Sequence, residues 1–266
     1  MPNQNMSNHY AKKRFGQHFL TDPYIINLLI KHINPKADDQ MLEIGPGLGA
    51  LTKPILPSLD HLQVIEIDRD VIRHLEHLGG DKLTIHNVDA LRVNFAEIID
   101  ETLPLRVIGN LPYNISTPLI FHLLESAQSI KDMHFMLQKE VVDRLTAEPG
   151  NKSFGRLSVM VQYRCKAEYL FYVGPESFSP PPKVDSAVVK LTPFKEKPFI
   201  AEDEALLSKV VTQAFSQRRK TLRNTLKTLM DSEALESLGI DPTARAETLG
   251  VEQYVTISNY LSQQPE

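Results

Sequence analysis

The chain has 266 residues, of which 42% are hydrophobic and 23% charged, with a formal net charge of −4. This is the composition of a globular protein with one large or two smaller domains and a sizeable core. No apolar run approaches the roughly 20 residues needed to span a bilayer, and the single cysteine, Cys165, excludes an internal disulfide. The first 17 residues lack the apolar core of a secretory signal, so a cytoplasmic protein is expected.

Strand and helix patterns alternate through the first part of the chain. Asp22 and Pro23 are typical of an N-cap and a first helical turn, and they predict a helix over residues 23–33. Periodicity predicts four further helices and five strands, the helices at residues 51–59, 70–78, 117–126 and 141–146 and the strands at 41–44, 62–67, 83–87, 106–108 and 133–138. This alternation predicts a doubly wound α/β fold, with a mostly parallel sheet covered on both faces.

The pattern changes in the second half of the chain. A short helix is predicted at residues 157–163, and two strands at 167–173 and 186–191 are joined by turn-forming residues, which predicts an antiparallel pair at the sheet edge. The alternation stops near residue 195, and helices are predicted at 204–215, 220–230, 232–238 and 251–261. The sequence therefore predicts an α/β domain over residues 1–195 and a small all-helical domain over residues 196–266.

A rigid corner follows the strand at residues 106–108. Asn110 carries a side-chain carbonyl acceptor, Pro112 keeps the residue before it out of the helical region, and Tyr113 offers a flat face for stacking. Two acceptors beside an aromatic ring suit a planar base that carries an exocyclic amino group. The alternative is a strand-to-helix turn with a buried tyrosine, and the tetrapeptide alone does not decide between the two.

A glycine-rich loop over residues 43–49, EIGPGLG, follows the first predicted strand of the alternating region. Glycines at alternate positions let a backbone approach a ligand closely and turn sharply into a helix. The spacing differs from the dinucleotide pattern, and no Gly-Lys-Ser/Thr triplet of a triphosphate-binding loop is present. A tight turn without a ligand is the alternative interpretation of this loop.

Two acidic residues follow the next two strands. Glu66 lies at the position where doubly wound folds place a carboxylate that binds ribose hydroxyls, and Asp89 could accept a hydrogen bond from an adenine amino group. Each could instead cap a helix or be solvated, as could Asp68 and Asp70. Because the carboxyl ends of parallel strands share one crevice, the loop and the acids together predict a site for a nucleoside-type cofactor.

Basic residues are concentrated in two segments that contain no acid. Residues 1–20 carry Lys12, Lys13 and Arg14, and residues 205–230 carry a second set, in which Arg219, Arg223 and Lys227 are spaced to lie on one face of the predicted helix. The alternative is a solvated surface helix. Local potential decides phosphate binding more than net charge does, so this set predicts an RNA-binding surface, formed by Arg218, Arg219, Lys220, Arg223 and Lys227.

These motifs resemble those of known enzymes. The glycine loop, Glu66 and Asp89 resemble motifs of S-adenosylmethionine-dependent methyltransferases, and the Asn110–Tyr113 corner resembles the signature of enzymes that methylate the 6-amino group of adenine. Longer blocks across nearly the whole chain are similar to the ribosomal RNA adenine dimethyltransferases, more narrowly to the bacterial small-subunit (16S) enzymes: KRFGQHFL at 13–20, EIGPGLGALT at 43–52, GNLPYNISTPLIFHLL at 109–124, MLQKEVVDRL at 136–145, FSPPPKVDSAV at 178–188 and FSQRRKTLRN at 215–224.

The resemblance implies a Rossmann-like methyltransferase fold, S-adenosylmethionine as methyl donor, and a role for each matching residue. Asn110 and the carbonyl of Pro112 would hold the target amino group, while Tyr113 and Phe178 would stack on either side of a flipped adenine. The cofactor would contact residues of the N-terminal arm, the strand ends and the corner, namely His18, Leu20, Gly45, Glu66, Asp89 and Asn110. His18 stands where this family usually has Asn, which makes its hydrogen bonding pH-dependent.

The expected function is dimethylation of two adjacent adenosines near the 3′ end of 16S rRNA, during small-subunit maturation. Two alternatives are a large-subunit rRNA methyltransferase of the macrolide-resistance type and a non-catalytic assembly or transcription factor. The block at residues 215–224 and the helical tail favour the first reading over the large-subunit enzyme, and the intact corner and glycine loop disfavour the non-catalytic one. The histidines have no metal-ligand spacing, so no metal is expected, and without a heptad run a monomer is expected.

Overall fold

The computed structural model of the protein describes residues 18–99 and 102–264. The predicted elements of the alternating region are all present, with ends shifted by a few residues. The strands are β1 (Phe19–Leu20), β2 (Met41–Ile44), β3 (Leu62–Ile65), β4 (Leu83–His86), β5 (Leu105–Asn110), β6 (Ile130–Gln138), β7 (Cys165–Val173), β8 (Phe178–Ser179) and β9 (Ser186–Pro193). The α-helices are α1 (Pro23–Ile33), α2 (Thr52–Ile55), α3 (Arg69–Gly79), α4 (Ser116–Glu125), α5 (Lys139–Leu145), α6 (Arg156–Gln162), α7 (Glu204–Ala214), α8 (Leu222–Thr225), α9 (Ser232–Ser237) and α10 (Val251–Ser262).

Helix α1 begins and ends as its sequence predicts. The Asp22 side chain accepts hydrogen bonds from the backbone N–H groups of Tyr24 and Ile25, and Pro23 occupies the first turn, where no N–H donor is needed. At the other end Asn34 adopts φ 48°, and its N–H donates to the Ile30 carbonyl. The buried face of α1 packs into the core of the sheet through Ile25, Leu29 and Ile33.

Seven strands form the main sheet, in the order β4-β3-β2-β5-β6-β9-β7. The pairs from β4 to β6 are all parallel, whereas β9 is antiparallel to β6, and β9 and β7 complete the edge that the sequence predicted. The order reverses between β2 and β5, because the chain runs from β2 out to β4 and then returns to the other side of β2. In open α/β sheets, the crevice at the carboxyl ends of the strands at such a reversal is where ligands bind.

Gly109 permits β2 and β5 to approach closely at this reversal. A Cβ atom at Gly109 would lie 2.5 Å from the backbone oxygen of Ile44 and 2.9 Å from the Leu111 side chain. Both distances are shorter than van der Waals contact, so a larger residue would push the strand ends apart. The residue directly before Asn110 therefore determines where the corner lies relative to the glycine loop.

A network of buried charges lies near the opposite ends of these strands. Arg106 makes a two-pronged contact with Asp132, at 2.9 and 3.0 Å, and donates to Asp39 at 2.6 Å. Its other hydrogen bonds go to the backbone carbonyls of Ile33 and Asn34. All three charged side chains are less than 10% exposed, so the buried guanidinium is compensated by the two carboxylates. Asp39 also accepts a hydrogen bond from Lys131 at 3.2 Å.

The chain divides into two compact units. The first contains Tyr169–Thr192 and the described part of Met1–Lys139, and the second contains Glu140–Glu168 and the described part of Pro193–Glu266. Residues 140–168 thus cluster with the helical unit, although the sequence analysis placed them in the first domain. The physical reason is that α6 buries Leu157, Val159 and Val161, and within this unit it packs against α7 and α10.

The predicted helix over residues 220–230 is wrong for most of its length, because only Leu222–Thr225 is α-helical. The apolar residues behind that prediction, Leu222, Leu226 and Met230, are nevertheless buried. The backbone N–H groups of Leu222 and Arg223 donate to the carbonyls of Ala244 and Pro242, and Thr221 forms a bridge with Arg245. Hydrogen bonds to a distant segment thus replace the helical pattern at the start of this stretch. The other three helices predicted beyond residue 195 are observed as α7, α9 and α10.

Candidate functional site

A cavity of about 510 Å³ opens at the carboxyl ends of β2, β3 and β5, within the first unit. It is lined by the predicted cofactor residues and by the corner, so the structure brings together residues that are far apart in the chain: His18, Leu20, Gly45, Glu66, Asp89, Asn110, Pro112 and Tyr113. This is the location that the topological rule predicts. Phe178 is the only predicted cofactor or catalytic residue that is not among the lining residues.

The glycine loop forms one wall of the cavity. Gly45, Gly47 and Gly49 all adopt positive φ, at 68°, 53° and 80°, which strains any residue with a Cβ. The Gly45 N–H donates to the Ile65 carbonyl at 3.0 Å, so β3 holds the start of the loop. A Cβ atom at Gly45 would have Asn110 O at 3.8 Å as its nearest neighbour. The loop and the corner therefore face each other at close range.

Glu66 follows β3 and is held in place by backbone donors. Its Oε1 atom accepts hydrogen bonds from the N–H groups of Ile67 and Asp68, at 2.8 and 2.9 Å, and the residue is 7% exposed. Burial raises the pKa of the Glu66 carboxyl, while these hydrogen bonds oppose the rise. Asp68 is the N-cap of α3, because it accepts a hydrogen bond from the Asp70 N–H. Glu66, by contrast, lines the cavity.

Asp89 lines the cavity and also caps a turn. Its Oδ1 atom accepts a hydrogen bond from the Leu91 N–H at 3.0 Å, and its Oδ2 atom lies 3.9 Å from Nε of Arg92. The cap interpretation is therefore confirmed, and the ligand-binding interpretation stays a prediction, since a carboxylate has acceptor positions left for a ligand.

Glu43 is a cavity residue to which the sequence analysis gave no role of its own, because it lies both in the predicted strand at residues 41–44 and at the start of the glycine loop. It is 1% exposed, lines the cavity, and accepts a hydrogen bond at 2.6 Å from the Thr52 hydroxyl. Burial, with a smaller contribution from the nearby Glu66 charge, raises its pKa to about 7 against the opposing Thr52 hydrogen bond. A carboxylate inside an otherwise apolar strand, directly before a glycine loop, is the signal that could have identified it.

The corner presents its acceptors beside the loop. The Asn110 amide nitrogen Nδ2 donates to the backbone oxygen of His18 at 3.1 Å, which leaves the amide oxygen Oδ1 as the acceptor on the other side. The Pro112 carbonyl accepts from the Ile115 N–H at 3.1 Å, so one of its two lone pairs is used by the turn. The turn interpretation and the acceptor interpretation are therefore compatible at this residue.

Tyr113 is half-buried, and its ring is anchored at the hydroxyl. The hydroxyl lies 2.9 Å from the Ser186 hydroxyl at the start of β9. Burial raises the pKa of the Tyr113 phenol, opposed by this hydrogen bond, so the group stays neutral at physiological pH. The ring of His18 lies nearly parallel to the Tyr113 ring, with centroids 6.0 Å apart and an angle of 23° between the planes.

Phe178 is placed in the core. It pairs with Leu20 in the two-stranded β1–β8 ladder, is 4% exposed, and belongs to the same apolar cluster as Leu20, Ile25 and Leu29. The ladder brings residues 19–20 and 178–179 together, a pairing that two-residue strands give no pattern to predict. The stacking role implied by the resemblance stays a prediction for Phe178.

The predicted RNA-binding residues lie in the second unit, and all five are exposed, namely Arg218, Arg219, Lys220, Arg223 and Lys227. They do not share one helix face, because Arg219 and Lys227 lie in turns outside α8, and that part of the prediction is wrong. Arg218 donates to the Lys152 carbonyl at 2.6 Å. The other basic set, Lys12, Lys13 and Arg14, lies outside the described residues.

The donor set of the cavity fits a cationic nucleoside. Glu43, Glu66 and Asp89 line it, and none of the described lining residues is Lys or Arg. Such a cavity attracts a positively charged ligand and disfavours phosphate. S-adenosylmethionine carries a sulfonium, an ammonium, ribose hydroxyls and an adenine amino group, which match these carboxylates. Within residues 18–99 and 102–264 there is no group of three His, Cys, Asp or Glu side chains placed to hold a metal ion, and no helix long and apolar enough to cross a membrane.

Comparisons with known proteins agree with this geometry. The family model described as ribosomal RNA adenine dimethylase matches residues 8–263. The chain is 58% identical to the ribosomal RNA small subunit methyltransferase A of Methylobacillus flagellatus, over 96% of this chain and 99% of that one. It is 54% identical to the protein of the same name from Proteus mirabilis, over 100% of this chain and 99% of that one.

Two solved structures are similar over most of the chain. A dimethyladenosine transferase from Plasmodium falciparum has a TM-score of 0.78 at 27% identity, covering 90% of this chain and 96% of that one. The 23S rRNA methyltransferase ErmE has a TM-score of 0.73 at 24% identity, covering 92% of this chain and 100% of that one, and it shows the shared fold. The match over nearly the full length places this chain in the ribosomal RNA adenine dimethylase family.

Proposed function

We propose that the protein transfers methyl groups from S-adenosylmethionine to the 6-amino groups of two adjacent adenosines, in a hairpin near the 3′ end of 16S rRNA. One observation carries the proposal: Asn110, Pro112 and Tyr113 line the same cavity as the glycine loop and the strand-end acids. A group bound at the acids therefore lies beside acceptors suited to an amino group. The small-subunit name of relatives at 58% and 54% identity supports the choice of RNA.

The proposal gives each acid of the cavity a separate role. Glu66 would accept from the ribose hydroxyls, Asp89 would accept from the adenine amino group, and Glu43 would face the positive end of the ligand. Gly45 would allow close backbone approach, with Leu20 and His18 at the cavity edge. When bound, S-adenosylmethionine supplies a methyl group on a positively charged sulfur. No metal is assigned to the reaction.

The corner would activate the target amine. The lone pair of an adenine amino group is delocalised into the ring, which makes the nitrogen a poor nucleophile. Oδ1 of Asn110 and the second lone pair of the Pro112 carbonyl would accept its two hydrogens and favour a tetrahedral nitrogen. The corner would thereby aim the localised lone pair at the methyl carbon of the bound donor. The donor would supply the methyl group as its carbon–sulfur bond breaks and its sulfur leaves as a neutral thioether, and the surplus amine proton would be lost to solvent. Positioning and electrostatic stabilisation would provide the rate enhancement, and no side chain is assigned as a general base.

The target base has to leave its stack to reach this corner. Flipping or a single-stranded target is required, and stacking on Tyr113 would recover about 1–3 kcal/mol of the cost. The exposed basic residues of the second unit would contact RNA phosphates, which makes binding salt-dependent. The proposal takes the protein to be a monomer in the cytoplasm, acting on small subunits or their precursors, with residues 196–266 contributing to RNA binding.

The experiment that tests the proposal measures transfer of labelled methyl groups to unmethylated small and large subunits. We expect label only on small-subunit RNA, and loss of label with Asn110→Ala. Asn94→Ala is a matched control, because Asn94 is exposed and caps a short turn away from the cavity lining. Label only on large-subunit RNA would support the macrolide-resistance type of enzyme, and no label on either would support a non-catalytic role.

A further inference from the structure

Glu43 places a carboxylate among apolar side chains in the interior strand β2. Its register partners on the neighbouring strands β3 and β5, Val64 and Ile108, are both fully buried. A charge in such surroundings is costly unless hydrogen bonds compensate it. Glu43 also lines the cavity, where its carboxylate can meet a ligand. The donors to this carboxylate therefore decide how readily it carries a charge there.

One side chain supplies the hydrogen bond that compensates Glu43. Its Oε2 atom accepts from the Thr52 hydroxyl at 2.6 Å, and among residues 18–99 and 102–264 no other group donates to this carboxylate. Glu66, by contrast, accepts from the backbone N–H groups of Ile67 and Asp68. The bond from Thr52 leaves Oε1 of Glu43 as an acceptor for a ligand.

The Thr52 hydroxyl is not used by its own helix. A threonine in the first turn of a helix usually caps a backbone N–H group or donates to a carbonyl of the preceding turn. Thr52 is the first residue of α2 and is fully buried, and its hydroxyl instead donates to a side chain nine residues earlier in the chain. It is not among the residues that line the cavity, so an effect of its hydroxyl on a ligand passes through Glu43.

We propose that Thr52 is a positioning residue for the methyl donor, whose hydroxyl holds the Glu43 carboxylate in the ionised form and the orientation that a cationic ligand meets. This inference rests on the proposed function. Burial and the nearby Glu66 charge favour the neutral acid, the Thr52 hydrogen bond favours the carboxylate, and the pKa of Glu43 is about 7 as a result. Without the hydroxyl the neutral acid gains, and it attracts a positively charged donor less.

Two substitutions separate the hydroxyl of Thr52 from its packing. Thr52→Val keeps the branched shape and removes the donor, whereas Thr52→Ser keeps the donor and removes a methyl group. Thr225→Val is the matched control, because Thr225 is also buried and its hydroxyl donates to backbone carbonyls of the second unit, away from the cavity lining. Thr52→Val combined with Glu43→Gln tests whether the effect passes through Glu43.

The readout is the Kd for S-adenosylmethionine of each variant divided by that of the wild type, measured by calorimetry without RNA from about pH 6 to about pH 9. The other titratable residues that line the cavity are the same in the Thr52 variants and the wild type, so this ratio isolates Glu43: His18, Glu66, Asp89 and Tyr113. The amino group of the donor titrates alike in every measurement and cancels in the same way.

We expect the Kd ratio of Thr52→Val to be about 10- to 150-fold at about pH 6, which corresponds to the loss of one hydrogen bond to a charged group. The ratio should fall toward 1 at about pH 9, because Glu43 is then ionised in both proteins. Thr52→Ser and Thr225→Val should stay near 1 throughout. In the Glu43→Gln background, Thr52→Val should change the Kd much less.

Urea unfolding of the ligand-free protein provides a second readout. A carboxyl whose pKa is raised by folding contributes stability at low pH, and this contribution is lost as the pH rises through the folded-state pKa. Because Thr52→Val raises that pKa further, its urea midpoint should fall more than that of the wild type between about pH 7 and about pH 9.

Four results would overturn the inference. A Kd ratio of Thr52→Val that is raised equally at every pH would assign Thr52 a packing role, as would a Thr52→Ser variant that binds as weakly as Thr52→Val. An undiminished effect in the Glu43→Gln background would show that Thr52 does not act through Glu43. A wild type that binds S-adenosylmethionine, with an unaffected Thr52→Val variant, would refute the positioning role alone, whereas a wild type that does not bind S-adenosylmethionine would refute the proposed function as well.

Discussion

Replacing Tyr113 separates base stacking from cofactor binding. Tyr113→Ala removes the ring, and base–aromatic stacking is worth about 1–3 kcal/mol per base, which corresponds to about 5- to 150-fold in kcat/KM. It also removes the hydroxyl that lies 2.9 Å from the Ser186 hydroxyl, a hydrogen bond worth about 0.5–1.5 kcal/mol of stability. Tyr113→Phe loses only this second contribution, so it should be less stable but should transfer methyl groups at close to the wild-type rate.

The assay is single-turnover methyl transfer to unmethylated small subunits, with the Kd for S-adenosylmethionine measured by calorimetry on the same preparations. We expect Tyr113→Ala to lose transfer while its Kd stays near that of the wild type. Urea unfolding of the Tyr113→Phe variant measures the contribution of the hydroxyl to the free energy of unfolding. Equal losses of transfer and cofactor affinity in Tyr113→Ala would show that the ring supports the cofactor and would refute the stacking role.

Three further predictions concern buried charges and the RNA surface. His134 is 1% exposed, and neither of its ring nitrogens has a hydrogen-bond partner among the described residues. Burial lowers its pKa to about 4 against the partial opposition of Asp132. The unfolded chain therefore binds the extra proton first, and stability falls by up to about 3 kcal/mol as the pH drops from about 6.5 to 4. His134→Leu should flatten this part of a urea-midpoint profile, and an unchanged slope would contradict the assignment. Burial raises the pKa of Glu43 to about 7. Its favourable contribution to the free energy of unfolding is therefore fully present below about pH 4.5, and up to about 3 kcal/mol of it is lost as the pH rises through 7. Glu43→Gln should therefore be more stable than the wild type at pH 8 yet bind S-adenosylmethionine less tightly, and a less stable variant would refute this. Arg223→Gln should lower the salt dependence of RNA binding by about one unit of log–log slope, and an unchanged slope would show that Arg223 does not contact phosphate.

The sheet and the strand-end acids could be predicted because their signals are local. Apolar runs identify parallel strands, and the carboxyl ends of such strands meet at one edge, so the sequence alone predicts that Glu66 and Asp89 share a crevice. The corner at Asn110–Tyr113 follows in the same way from the strand that precedes it. Local sequence is sufficient to predict the position of a residue that directly follows a parallel strand.

The remaining features depend on contacts between distant segments. Leu222, Leu226 and Met230 have helical spacing and are buried, but the backbone at Leu222 and Arg223 bonds to residues 242–244, and local periodicity does not reveal such partners. Phe178 faces the core because β8 pairs with β1, where strands of two residues are too short to show a pattern. Glu43 was overlooked because its position in a strand predicts burial, and an ionisable group in such a position is itself the functional signal.

The central claim is that the cavity and the corner form one catalytic site for two adjacent adenosines. Mass spectrometry of 16S rRNA fragments, after incubation of unmethylated small subunits with the protein and S-adenosylmethionine, tests it most directly. The account predicts two methyl groups on the 6-amino nitrogen of each of two neighbouring adenosines near the 3′ end, and none with Asn110→Ala. Methylation of a ring nitrogen, of a ribose or of a single adenosine elsewhere in the RNA would contradict it.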